Sequence, residues 1–93
     1  MEVLYADMRF ERLARGTGTL PGLPGAVAFE FRGFIRWLSS ATHEQDLLAM
    51  IFLEATQFDS PRARTWRFRL IHGFSVTCLI EEGVATVVSL QQE

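Results

Sequence analysis

The sequence predicts an α+β domain in which two N-terminal helices pack on one face of a mostly antiparallel sheet of about four strands. Two observations carry this. Up to Ser39 the apolar residues recur at helical spacing, whereas from Met50 onward they fall in short alternating runs. Those later runs are divided by the compact turn signals His72-Gly73 and Glu81-Glu82-Gly83, so the last three form an antiparallel meander. A chain of 93 residues has room for a single domain, 1–93, with a modest core.

In order along the chain, Glu2-Val3-Leu4-Tyr5 reads as a short strand, and Asp7 is placed to cap a helix through Met8, Phe10, Glu11, Leu13 and Ala14. Arg9, Arg12 and Arg15 recur every three residues on that helix, either as a basic stripe or as an ordinary solvated face. Gly16-Thr17-Gly18-Thr19 and Pro21-Gly22-Leu23-Pro24-Gly25 make a breaker-rich connection without the spacing of a phosphate-binding loop. The second helix spans Ala26 to Ser39, with Val27, Phe31, Phe34, Ile35 and Leu38 on its core stripe. Phe29, Gly33 and Trp37 widen its apolar surface toward another face, where a second element or a partner can sit. Thr42 is placed to cap a turn of helix through Leu47-Leu48, and strands follow at Met50–Phe58, Thr65–Ile71, Phe74–Ile80 and Val84–Leu90. With the helices on one side of the sheet, the other side is left for binding.

The charge distribution narrows what that side binds. A net charge of −2 and a pI of about 5.6 exclude a protein that coats nucleic acid indiscriminately, so any such contact is local. All nine cations are arginines, and four of them, Arg62, Arg64, Arg67 and Arg69, fall within eight residues that contain no acid. Trp66, Phe68 and Leu70 alternate with Arg67 and Arg69 as in a half-buried strand, and Arg62 and Arg64 lie at its mouth after the turn signal Asp59-Ser60-Pro61. A guanidinium is a planar fork of donors suited to phosphate or carboxylate, so the cluster fits RNA, DNA or an acidic partner. The alternative is a set of surface charges paired with Glu54, Glu81 and Glu82.

Other chemistry is sparse. Cys78 is the single cysteine and sits in an apolar run, which predicts a packed thiol in a reducing cytoplasm rather than a nucleophile. His43 and His72 are the candidates for proton transfer, and their positions do not make a metal-ligand spacing; no cofactor is expected. No apolar run approaches the roughly 20 residues that span a bilayer, and the opening Met-Glu-Val, with Asp7 close behind, is unlike a basic signal segment, so no membrane partner is expected.

The order of these pieces resembles the HigB branch of the RelE/ParE toxin superfamily over most of the chain. The resemblance rests on Ala41-Thr42-His43-Glu44-Gln45-Asp46-Leu47, Ser60-Pro61-Arg62, Trp66-Arg67-Phe68-Arg69-Leu70, Phe74-Ser75-Val76-Thr77-Cys78 and Glu81-Glu82-Gly83, with no gap needed from Asp46 to Gly83. It implies a RelE-like fold and the toxin of a type II toxin–antitoxin pair, held inactive by a cognate antitoxin and acting as a messenger-RNA endonuclease on the ribosome. The ParE relatives imply the alternative of a non-catalytic interaction protein, either a gyrase inhibitor or a degenerate toxin. Among the arginines, Arg69 corresponds to a recurrent family position and is the third weak catalytic candidate beside His43 and His72. The chain departs from the family at Ser75, where an arginine is usual, at Thr56 or Asp59, where a histidine or lysine is common, and at Gln91-Gln92-Glu93, in place of an Asp-Tyr-His-like ending.

Overall fold

The computed structural model describes residues 1–42, 56–58 and 64–92. Strand β1 (Glu2–Tyr5) leads into helices α1 (Met8–Arg15) and α2 (Gly25–Ser40), followed by strands β2 (Thr56–Phe58), β3 (Arg64–Arg69), β4 (Phe74–Glu81) and β5 (Val84–Gln92). The class is α+β, as the two periodicities predict. The strands form one sheet in the order β1-β5-β4-β3-β2. The expected meander is present, β3, β4 and β5 being joined antiparallel. Among the described residues the sheet has five strands where the sequence predicts about four, and it is mixed because β1 pairs with β5 in parallel. Alternation marks a segment as a strand but carries no information about its partner or direction, so this long-range pairing could not be read ahead.

Each helix ends for a stated reason. Asp7 has extended backbone and its carboxylate accepts a 2.8 Å bond from the Arg9 N–H, satisfying a donor that the first turn leaves unpaired. Bonds from the Arg9 side chain, and then from its backbone, hold the Asp7 carboxyl below its ordinary pKa. At the other end Gly16 turns left-handed at φ 77°, and its N–H closes onto the carbonyls of Arg12 and Leu13. Helix α2 begins behind Pro24 with no side-chain cap. Its stability comes from burial instead: Val27, Phe31, Phe34 and Leu38 share one face and are almost fully enclosed. Arg32 joins the two helices, its Nε donating 2.9 Å to the Leu13 carbonyl near the end of α1.

One core lies between the helices and the sheet. Phe10 and Leu13 from α1 and the α2 stripe meet Trp66, Phe68, Val76, Cys78, Ile80, Ala85 and Val87. Aromatic rings fix the contact, with Phe34 4.7 Å and Trp37 6.2 Å from Phe68, and Trp66 stacked 6.1 Å along the strand. Of the residues that widen the apolar surface of α2, Trp37 therefore turns to the core, whereas Phe29 stays 72% exposed and a Cβ at Gly33 would meet nothing. The predicted turn through Leu47-Leu48 and the strand from Met50 fall outside the described residues, apart from Thr56–Phe58.

The two described hairpin turns use positive-φ positions. Between β4 and β5 the two-residue loop places Glu82 at φ 49° and Gly83 at φ 77°, a combination matched to the right-handed twist of a hairpin. Between β3 and β4 the loop Ile71–Gly73 carries His72 at φ 57° and Gly73 at φ 74°, closed by a 2.7 Å bond from Leu70 N–H to the Phe74 carbonyl.

Candidate binding face of the sheet

Strand β3 sorts its side chains as its alternation requires. Trp66, Phe68 and Leu70 are buried, while Thr65, Arg67 and Arg69 occupy the opposite phase, on the face turned from the helices. Pairing extends that phase across the sheet. Arg67 lies opposite Thr77, which lies opposite Ser89; Arg69 lies opposite Ser75, which lies opposite Gln91. Two guanidinium groups thus stand beside a series of hydroxyls and an amide, a composition suited to phosphate oxygens and, through bidentate bonds, to carboxylates.

The face is not uniformly open. Arg69 is exposed and Arg67 half-buried, but Ser75 between the strands is only 3% exposed. The expectation of a sheet side left wholly for binding is corrected to this extent. In the next rows toward the β4–β5 turn the character changes. Leu4, Thr86 and Leu79 lie side by side on β1, β5 and β4, with Leu4 47% and Leu79 36% exposed. Beyond them, Glu2 and Glu81 flank Val84. From one end of the strands to the other the face therefore runs from acids, through exposed leucines, to arginines. Leu79 had a signature in the sequence: in Thr77-Cys78-Leu79-Ile80-Glu81 it shares the phase of the polar residues. For Leu4 the signature is weaker, because four residues give little phase to read.

Arg67 and Arg69 share a face. Arg64 opens β3 opposite Ile80, a register position in phase with Trp66 and Phe68 rather than with the other two. Arg62 lies outside the described residues, as do His43 and Glu54. Glu81 lies at the far end of β4 from Ser75, the partner of Arg69. The second basic series, on α1, is partly neutralised within its own helix: Arg9 pairs with Asp7 at 2.8 Å and Arg15 with Glu11 at 3.0 Å.

His72 sits exposed at the apex of the β3–β4 hairpin, where its carbonyl accepts a 3.2 Å bond from Gln92 Nε2. Cys78 packs in the core, and burial pushes its thiol up to about 12, which removes it as a nucleophile. Among the described residues no group of three or more histidine, cysteine, aspartate or glutamate side chains is arranged to hold a metal, and no helix is long and apolar enough to cross a membrane.

Comparison with protein-family models, with curated proteins and with solved structures returns no match to this chain. The functional reading therefore rests on the face just described and on the motif resemblance of the sequence.

Proposed function

We propose that the chain is the toxin component of a type II toxin–antitoxin pair, a RelE/HigB-like domain working in the cytoplasm and binding RNA phosphates through Arg67 and Arg69. The observation that carries this reading is the division of β3: Trp66 and Phe68 anchor the strand in the core while Arg67 and Arg69 project from the far side. Further support comes from the element order, a strand and two helices followed by an antiparallel meander, and from the Glu82-Gly83 turn at the place the resemblance implies. In messenger-RNA cleavage the 2′-oxygen attacks the adjacent phosphorus and the bond to the 5′-oxygen breaks. Arg69, with Arg67, would stabilise the charge on the pentacoordinate phosphate, and His72 or His43 would move a proton, with the ribosome completing the site. The cognate antitoxin would cover the same face with acidic and apolar side chains.

A second reading has its own observation. Ser75 occupies the position where the resemblance would place an arginine, and it is buried opposite Arg69. A RelE-fold interaction protein, gyrase-directed or a degenerate toxin bound by an antitoxin, needs no proton transfer there.

Controlled expression in a bacterium, following growth and bulk messenger RNA together, separates the two. Arrest with RNA cleavage, lost on Arg67→Ala/Arg69→Ala substitution, supports the nuclease. Arrest without cleavage supports the interaction protein. Arrest with cleavage that persists in the double variant removes the arginines from the mechanism.

A further inference from the structure

We propose that the outer edge of β1 pairs with β1 of a second copy of this chain, joining two sheets into one about a two-fold axis that passes between the two Leu4 residues. Strand β1 ends the sheet order, with β5 on its inner side. On that side the N–H groups of Glu2 and Ala6 donate to the carbonyls of Gly83 and Val87 at 3.2 and 2.9 Å. Backbone groups point to alternate sides along a strand, so the N–H and C=O of Val3 and Tyr5 point outward from the sheet. Among the described residues no backbone group meets them there. Sheet edges are ordinarily blunted by a lysine, a proline, a bulge or an inward-pointing charge, and Val3-Leu4-Tyr5 carries none of these.

The symmetry of these groups selects the occupant. Val3 and Tyr5 lie one residue to either side of Leu4. In antiparallel pairing with Leu4 opposite Leu4, Val3 of each copy therefore faces Tyr5 of the other and exchanges two hydrogen bonds with it, four in all, as an isologous interface requires. A shift of one residue would set outward-pointing groups against inward-pointing ones, and a shift of two would match only Val3 with Val3 or Tyr5 with Tyr5 within the strand. Leu4, 47% exposed, sits beside the axis on the face turned from the helices. The two leucines form a non-hydrogen-bonded pair with Cα atoms about 4.5 Å apart, and they carry the row of Thr86 and Leu79 across both sheets. On the other face Val3 meets Tyr5, a β-branched and aromatic pair. Glu2 falls opposite Ala6 and stands about 14 Å from its own symmetry mate, so the pairing sets no like charges side by side. Val3 and Tyr5 already pack against the core, which holds the strand extended before a partner arrives and leaves little chain to be ordered.

This inference goes beyond the proposed function and does not depend on it. Strand β3 stands three strands in from this edge, so its arginines take no part.

The test is sedimentation equilibrium of the full chain over a concentration series, joined to cysteine cross-linking. The expected result is a monomer–dimer equilibrium whose dissociation constant rises at least about tenfold in Val3→Pro, which removes an outward N–H and leaves the bonds to β5 in place. Leu4→Lys should weaken pairing by at least about the same factor, because it sets two ammonium groups against each other at the axis. Leu4→Cys should give a disulfide-linked dimer in oxidised glutathione at least about tenfold faster than Glu2→Cys, since only the first pair lies within disulfide reach. Far-UV circular dichroism checks the fold, and Leu4→Lys, at an exposed position, carries the test should Val3→Pro unfold. A chain that stays monomeric throughout, a dimer indifferent to Leu4→Lys, or cross-linking as fast at Glu2→Cys as at Leu4→Cys overturns the inference.

Discussion

The two faces of the sheet are built from the same strands yet held by different physics. On the packed face, Trp66, Phe68, Val76, Cys78 and Val87 are almost fully removed from water and touch both helices' side chains or one another. On the other, Arg67, Arg69, Thr77, Leu79 and Glu81 occupy the alternate positions, half-buried or exposed, and Ser75 among them is enclosed. Burial free energy scales with apolar area removed from water, so the first face sets stability. The second is freer to be chosen for what it contacts. Substitutions should respect this division.

The largest effect expected is at Cys78. Its thiol is pushed up to about 12 by burial, so in the native chain it should react with a small alkylating reagent only through opening of the packed face. Relative to the unfolded chain in urea at pH 8, labelling should be slower by on the order of 10³ or more. Labelling at the unfolded rate would mean that this face is not closed. The same burial gives a pH dependence. An unfolded thiol loses its proton near pH 8.5 while the native one keeps it, so the native state binds more protons and stability falls as pH rises above that value. The slope approaches about 1.4 kcal/mol per pH unit and should be absent in Cys78→Val, as urea unfolding at pH 8 to 10 would record.

Next comes Phe68, which lies against Phe34, Trp37 and Trp66. Phe68→Ala removes this contact and leaves a cavity, at a cost of about 3 to 5 kcal/mol. Leu79→Ser, across the sheet, should change the urea midpoint by no more than about 0.5 kcal/mol equivalent. Similar losses at both sites would erase the distinction between the faces.

Much of the fold was legible because local chemistry decided it. Asp7 and Gly16 announced the ends of α1, the period of Val27, Phe31, Phe34 and Leu38 announced α2, and Glu82-Gly83 announced a hairpin. The parallel pairing of β1 with β5 was not legible, since it joins residues from opposite ends of the chain. At the candidate site the same distinction holds. Alternation within one strand correctly separated Arg67 and Arg69 from Trp66 and Phe68. Nearness in sequence grouped Arg64 with them, and its register position, opposite Ile80, is in phase with Trp66 and Phe68. The exposed leucines were missed because a leucine in a strand is ordinarily assigned to the core, and only cross-strand register puts Leu4 and Leu79 in one row.

A smaller effect is expected where the faces meet at the β4–β5 turn. Gly83 sits at φ 77° with open space around a would-be Cβ, so Gly83→Ala costs only the left-handed backbone, about 1 to 2 kcal/mol. Glu82, at φ 49°, should move the other way, with Glu82→Asn raising the melting temperature because asparagine tolerates this conformation better. A neutral Gly83→Ala would show that the hairpin geometry is not what fixes the register of the two strands.

The smallest change in stability is expected at Arg69, and it is the most informative for function. Arg69 is exposed at the end of β3, and Arg69→Gln keeps a long side chain with donors while removing the charge. Stability should stay within about 0.5 kcal/mol of the parent. Binding of a single-stranded RNA oligonucleotide should weaken, and its affinity should depend less steeply on salt, because one fewer cation displaces counterions from the phosphates. These two readouts separate the roles the guanidinium can play. Were the substitution to cost more than about 1 kcal/mol with the salt dependence unchanged, Arg69 would belong to the structural side of the sheet. The division between a face that stabilises and a face that binds would then have to be redrawn through β3 itself.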